Sequence, residues 1–220
     1  SLALAASAGS SGQSYRLLSE STGADELDRL MSGAGWAKSD GEYGSTSDIY
    51  VTYSFFEQGS SHGYALKSGQ SSSDFTPLTS KARQTVTSAL DQIEKFTNVN
   101  FIEVDDTSSK YGDIRFVTGS PYIMGNSLGK AFLPGTAERY GYDSVAQLNG
   151  DVFLKAYTDS EYQLDGGEAL YTVIHEIGHA VGLTHPFHSG EINPALHDSH
   201  CQCTACSHAN EYTFGSNSEI

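Results

Sequence analysis

The chain has 220 residues, of which 38% are hydrophobic and 11% aromatic, enough for a sizeable core and too much for wholesale disorder. Twelve Lys and Arg against 27 Asp and Glu leave a formal charge of −15, whose field repels phosphate and so argues against nucleic acid or anionic membrane as a partner. No apolar run approaches the roughly 18–20 residues a membrane helix needs, so no membrane insertion is expected.

Residues 1–20 read as a flexible N-terminal tail. The run Leu2-Ala3-Leu4-Ala5-Ala6-Ser7-Ala8 suits the end of a signal peptide or a propeptide remnant, and Gly9 to Gly12 a linker. Residues 21–185 carry the regular patterning. Residues 24–31 form a short helix candidate, with Ser21 or Thr22 at its cap and Gly33 beyond its end. Residues 48–56 are β-branched and aromatic and predict a strand; 59–74 are Ser/Gly-rich and predict a loop. The spacing of Ala82, Val86, Ala89, Leu90, Ile93 and Phe96 predicts a long helix over 79–97, capped by Thr79 and ended by Asn98. Strands are predicted at 99–104, 113–118, 127–133 (stopped by Pro134-Gly135) and 151–157. Gly166-Gly167 then introduces a second long helix over 168–181. The class is therefore α+β with one main sheet. From Pro186 to Ile220 the pattern dissolves into short polar pieces.

The chemistry concentrates late in the chain. Seven of the eight His lie from His175 onward. His175 and His179 are four apart, so both imidazoles leave the second helix on one face and can share an ion. Glu176 can reach a water beside that ion without ligating it. Gly182 lets the chain turn sharply, with positive φ, so that His185 can swing round as a third ligand. Three imidazoles with one open position fit a catalytic zinc site, whereas structural zinc is normally closed by four protein ligands.

The run His175-Glu176-Ile177-Gly178-His179-Ala180-Val181-Gly182-Leu183-Thr184-His185 resembles the extended zinc signature of the metzincin metallopeptidases. With Pro186 after the third His it is most similar to the serralysin group of secreted bacterial proteases. The resemblance covers roughly residues 22–186, including Asn100-Phe101-Ile102-Glu103-Val104, Asp113-Ile114-Arg115-Phe116 and Ala131-Phe132-Leu133-Pro134-Gly135. It implies a metzincin-like zincin fold: a twisted, mostly parallel sheet, an antiparallel edge strand, and two long helices in an upper subdomain of residues 21–185. It implies one catalytic Zn2+ held by His175, His179 and His185, with Glu176 as general base. It makes Gly129, Lys130, Ala131, Phe132 and Leu133 the strand to which a polypeptide substrate adds. An extracellular location follows from the same resemblance and suits the acidic, Ser/Gly-rich composition.

Serralysins place a methionine turn after the third His, but the two Met here, Met31 and Met124, both precede it. Residues 186–220 are accordingly expected to begin a truncated lower subdomain. A Cys/His-rich insertion within it, His200, Cys201, Cys203, Cys206 and His208, matches no feature of that family. It admits a second zinc or copper site, one disulfide with a free thiol, a thiolate offered to the catalytic zinc, or a plain surface insertion. Calcium is possible in so acidic a chain, although no EF-hand or glycine-rich repeat places it. His62 and His188 read as loop residues. The competing function is a zinc-binding adhesion or interaction module of the same fold with impaired catalysis.

Overall fold

A computed structural model describes residues 14–17, 30–31, 34–37, 48–58, 71–107, 111–134, 149–163 and 166–185. The elements in chain order are β1 (Ser14–Leu17), β2 (Ala34–Ala37), β3 (Ile49–Phe55), β4 (Phe75–Thr76), α1 (Ser80–Glu94), β5 (Val99–Glu103), β6 (Ile114–Gly119), the single turn α2 (Pro121–Met124), β7 (Gly129–Ala131), β8 (Val152–Lys155) and α3 (Glu168–Ala180). β1 and β2 form an antiparallel pair. The other six strands form one sheet in the order β5-β3-β6-β8-β7, with β4 joined to β6 outside that path. β3, β5, β6 and β8 are parallel, and β4 and β7 pair antiparallel. The result is a mixed α/β architecture with a mostly parallel sheet and few helices.

Strand periodicity sorts side chains to the two faces. Ile114 and Phe116 of β6, with Val152 and Leu154 of β8, join the cluster under α1 and α3, together with Val86, Leu90, Val173 and Ile177. Their neighbours Val117 and Phe153 point the other way and pack with Phe56, Phe75, Ile123 and Met124. Because both faces are covered, every residue of β6 but Thr118 and all of β8 but Lys155 are buried, including the polar Arg115.

Polar groups lock the central register. Asp113 Oδ2 accepts the Thr52 N–H at 2.9 Å and its hydroxyl at 2.6 Å. The Gly112 N–H donates to Ser54 Oγ at 2.9 Å, and a β-carbon at Gly112 would lie 2.5 Å from the Ser54 nitrogen. Arg115, on the opposite face from Ile114, is buried and donates through Nε and Nη2 to both carboxylate oxygens of buried Asp106, at 2.5 and 2.8 Å. Its guanidinium also lies 4.8 Å from the centre of the Phe56 ring.

Several expectations shift. The 79–97 helix keeps its Thr79 cap, whose hydroxyl accepts the Ala82 N–H at 3.2 Å, but ends at Glu94. Lys95 and Phe96 close it with bonds to Gln92 and Ile93 carbonyls, and Phe96, placed in the core by its spacing, is 86% exposed. The strand expected over 127–133 is regular only at Gly129–Ala131. Ser14–Leu17, read as part of a flexible tail, is a strand. Met31, read as helical, bridges antiparallel to Leu183, while residues 24–29 lie outside the described residues. β4 was not foreseen at all: two residues carry no periodicity. Among the described residues no helix is long and apolar enough to cross a membrane.

Arg115→Met should destabilise the protein by about 3–5 kcal/mol in urea unfolding, because it leaves a buried carboxylate without its cation. Replacing Asp106 by Leu in the same chain should recover a large part of that loss.

Candidate metal centre and active site

Helix α3 supplies the site. Gly166 (φ 68°) turns the chain and Gly167 caps the helix in extended conformation. Ala169, Thr172, Val173, Glu176, Ile177 and Ala180 face the sheet and are buried. Tyr171, Ile174, His175 and His179 occupy the more open side, with Tyr171 and Ile174 about half exposed.

The helix ends in a Schellman motif. The Leu183 N–H bonds back to Gly178 O and the Gly182 N–H to His179 O, both at 2.9 Å. This closure needs left-handed backbone, and Gly182 has φ 109°. The chain reverses there and carries His185 back over the helix.

The three imidazoles meet through their Nε2 atoms. His175 and His185 are 2.9 Å apart, and His179 lies 3.1 Å from each. Among the described residues this is the group of ligand-type side chains that could hold a metal ion. A tetrahedral ion with metal–nitrogen bonds of about 2.0–2.1 Å needs its nitrogens about 3.3 Å apart, so the triangle is within a few tenths of an ångström of that spacing. The donor set also suits zinc, as imidazole is a preferred ligand. The Leu183 carbonyl accepts a hydrogen bond from His179 Nδ1 at 2.8 Å, which puts the proton on Nδ1 and leaves the Nε2 lone pair facing the other two rings. The Tyr171 ring lies against His175, with centroids 5.8 Å apart.

Glu176 is 4% exposed, at the sheet side of the same helix turn. It lies directly against Gly129 of β7, where a β-carbon would fall 2.5 Å from Glu176 Oε1. The glycine's missing side chain is the space the carboxylate occupies. β7 is at the edge of the sheet, with Gly129, Lys130 and Ala131 paired to Leu154, Phe153 and Val152. Phe132 continues the pairing through bonds to Asp151 O and from the Gly150 N–H, and Leu133 follows before the Pro134 turn. Lys130 sends its side chain to the Ile123 carbonyl at the α2 turn, 2.8 Å away, and its burial lowers the ammonium pKa.

The structure thus brings His175, His179, His185 and Glu176 together, with Gly129 in contact with Glu176. The Cys/His-rich group, His200, Cys201, Cys203, Cys206 and His208, lies outside the described residues, as do His62, Pro186 and His188. Sequence reasoning missed Tyr171, although its i, i+4 spacing to His175 on a helix would have found it. It also missed Trp36, for which no local pattern gives a signal.

An imidazole pair on a helix, a third imidazole after a glycine turn and a buried glutamate beside the first make a candidate metal site of the metallohydrolase kind on an α/β scaffold. The particular family follows from comparison: the sequence model of the matrixins, peptidase family M10, matches residues 61–201, and the chain belongs to that family of metallopeptidases. No curated protein matches the chain.

Gly129→Ala should force Glu176 and β7 apart and cost about 1–3 kcal/mol of stability. Urea unfolding checks the cost, and a crystal structure of the variant should show the Glu176 carboxylate displaced.

Proposed function

We propose that the protein is a zinc-dependent endopeptidase that cleaves extracellular polypeptides, and that within the metzincins it is serralysin-like. The observation carrying this reading is the convergence of three Nε2 atoms within 3.1 Å, one residue along the helix from a buried glutamate that rests on an edge strand. His175, His179 and His185 would hold one zinc ion. When bound, that ion supplies Lewis acidity, which acidifies water and polarises a peptide carbonyl.

The remaining work falls to this chain's own groups. Glu176 takes the proton of the attacking water as general base and returns it to the leaving amine. Its position between the core and the histidines suits that role, because Gly129 and the helix hold the carboxylate in one place. The outer edge of β7, from Gly129 through Leu133, offers main-chain donors and acceptors to an extended substrate, which would add as a further strand. With Lys130 tied down at Ile123, recognition on that strand would be through backbone and so tolerant of substrate sequence. Pro186 after the third His supports the serralysin-like assignment, and the acidic, Ser/Gly-rich composition supports secretion.

Elemental analysis should find about one zinc per chain in the described site, and His179→Ala should abolish it; a zinc-free native protein would overturn the reading. With zinc loaded, Glu176→Gln should lower the rate of hydrolysis of an unfolded protein substrate by about 10²–10⁴-fold while zinc content stays the same. Equal rates would instead favour a zinc-binding interaction module without catalysis.

A further inference from the structure

The Schellman closure of α3 accounts for the carbonyls of Gly178 and His179, and Val181 bonds back to Ile177. The Ala180 carbonyl, next along, is not reached by those bonds. It is reached from 144 residues away: the indole Nε1–H of Trp36 donates to it at 2.8 Å, with the indole 4% exposed. The Trp36 ring also packs against Gly150, where a β-carbon would sit 2.7 Å from the indole edge. Gly150 leads into β8, so one side chain ties the C-terminal end of the histidine helix to the central sheet.

Beyond Leu183 the helix offers no further hydrogen bonds. The next N–H, that of buried Thr184, donates at 2.8 Å to the carbonyl of Leu30, and Leu183 bridges antiparallel to Met31. These two residues are where site geometry is decided. The Leu183 carbonyl orients His179 through Nδ1, and Thr184 immediately precedes His185. Two of the three imidazoles therefore depend on a segment held from outside by Leu30 and Met31. Those residues and Trp36 lie before the portion matched by the matrixin family, residues 61–201.

We propose that Leu30, Met31 and Trp36 form a strap that positions the metal site: it sets the affinity for zinc by fixing residues 180–185, and Trp36 is its principal positioning residue. The strap acts through the Ala180 carbonyl and the Leu30 to Thr184 hydrogen bond. The proposal rests on the zinc-site reading above. Its physical basis is that outer-sphere partners which orient ligands change metal affinity, commonly by about 10–100-fold when removed.

The test uses the full chain and reads metal binding directly. Zinc dissociation constants are measured by competition with a chromophoric chelator for the unaltered protein, Trp36→Phe, Trp36→Ala and the control Leu90→Ala. Absorption of the Co2+-loaded forms is recorded alongside, at a temperature where circular dichroism shows each metal-free protein folded. Trp36→Phe keeps an aromatic ring but loses the indole donor and part of the packing on Gly150. Leu90→Ala removes a buried side chain of α1 from the same core and so destabilises the fold, while leaving the hydrogen bonds to Ala180 and Thr184 in place. The strap predicts about tenfold weaker zinc for Trp36→Phe, a larger loss for Trp36→Ala, and an altered Co2+ spectrum for both, while Leu90→Ala binds like the unaltered chain. Unchanged affinity in both Trp36 variants overturns the strap and leaves the zinc site standing, as does an equal loss in Leu90→Ala. Failure of the unaltered chain to bind zinc overturns the zinc site and the strap together.

Discussion

Imidazole nitrogens that bear lone pairs repel one another, and a folded chain does not gather three of them within 3.1 Å without a compensating interaction. The fold meets that constraint by geometry. Two rings come from one helix face, which requires only the 3.6-residue turn. The third must come from residues that have left the helix, and this needs a reversal tight enough to return over it. Gly182 at φ 109° supplies the reversal, and the Leu183 carbonyl aligns the middle ring. A cation at the centre would turn the mutual repulsion of three lone pairs into three favourable bonds, which is why this cluster suits a metal ion.

Rigidity for this arrangement comes from a sheet buried on both faces. α3 packs through Val173 and Ile177 on the side of Ile114, Phe116, Val152 and Leu154, while Val117 and Phe153 seal the opposite side. Charge inside such a sheet must be paired, and Arg115 with Asp106 shows how this chain does it: two hydrogen bonds on the carboxylate and an aromatic ring against the guanidinium. Glu176 stands where core and site meet. One residue from His175, it lies on the buried flank of the helix beside the histidine face and fits only because Gly129 has no side chain. The edge strand and the carboxylate are thus built around each other, so the surface that would take substrate and the group that would move protons share one contact.

Local patterns were readable where one physical rule acts over short range. The apolar spacing within 79–97 gave the first long helix, because helix burial repeats every turn, and Gly166-Gly167 marked the start of the second. β3 was readable from β-branched and aromatic density and β8 from alternation, and β5 and β6 also fall where strands were expected. The spacing from His175 to His185 and the glycine between them gave the metal-ligand candidates, since four-residue spacing and left-handed turns are local properties. Those same rules erred where partners were distant. Phe96 completed a helical stripe yet falls beyond the end of the helix, and Met31 looked helical yet pairs with Leu183.

The sequence by itself determined the class of chemistry: a helix-borne His-Glu-x-x-His run with a third His after glycine, in an acidic α+β chain. Tertiary structure alone decided how that chemistry is held. Gly129 in the sequence is an ordinary glycine near a strand, and only packing shows that it makes room for Glu176. Trp36 and Leu30 have no pattern linking them to residues 180–184, since hydrogen bonds spanning about 150 residues leave no periodicity to read. Motif spacing encodes what neighbouring residues can do together. Distances between parts of the chain that meet only on folding depend on how every intervening strand and helix packs.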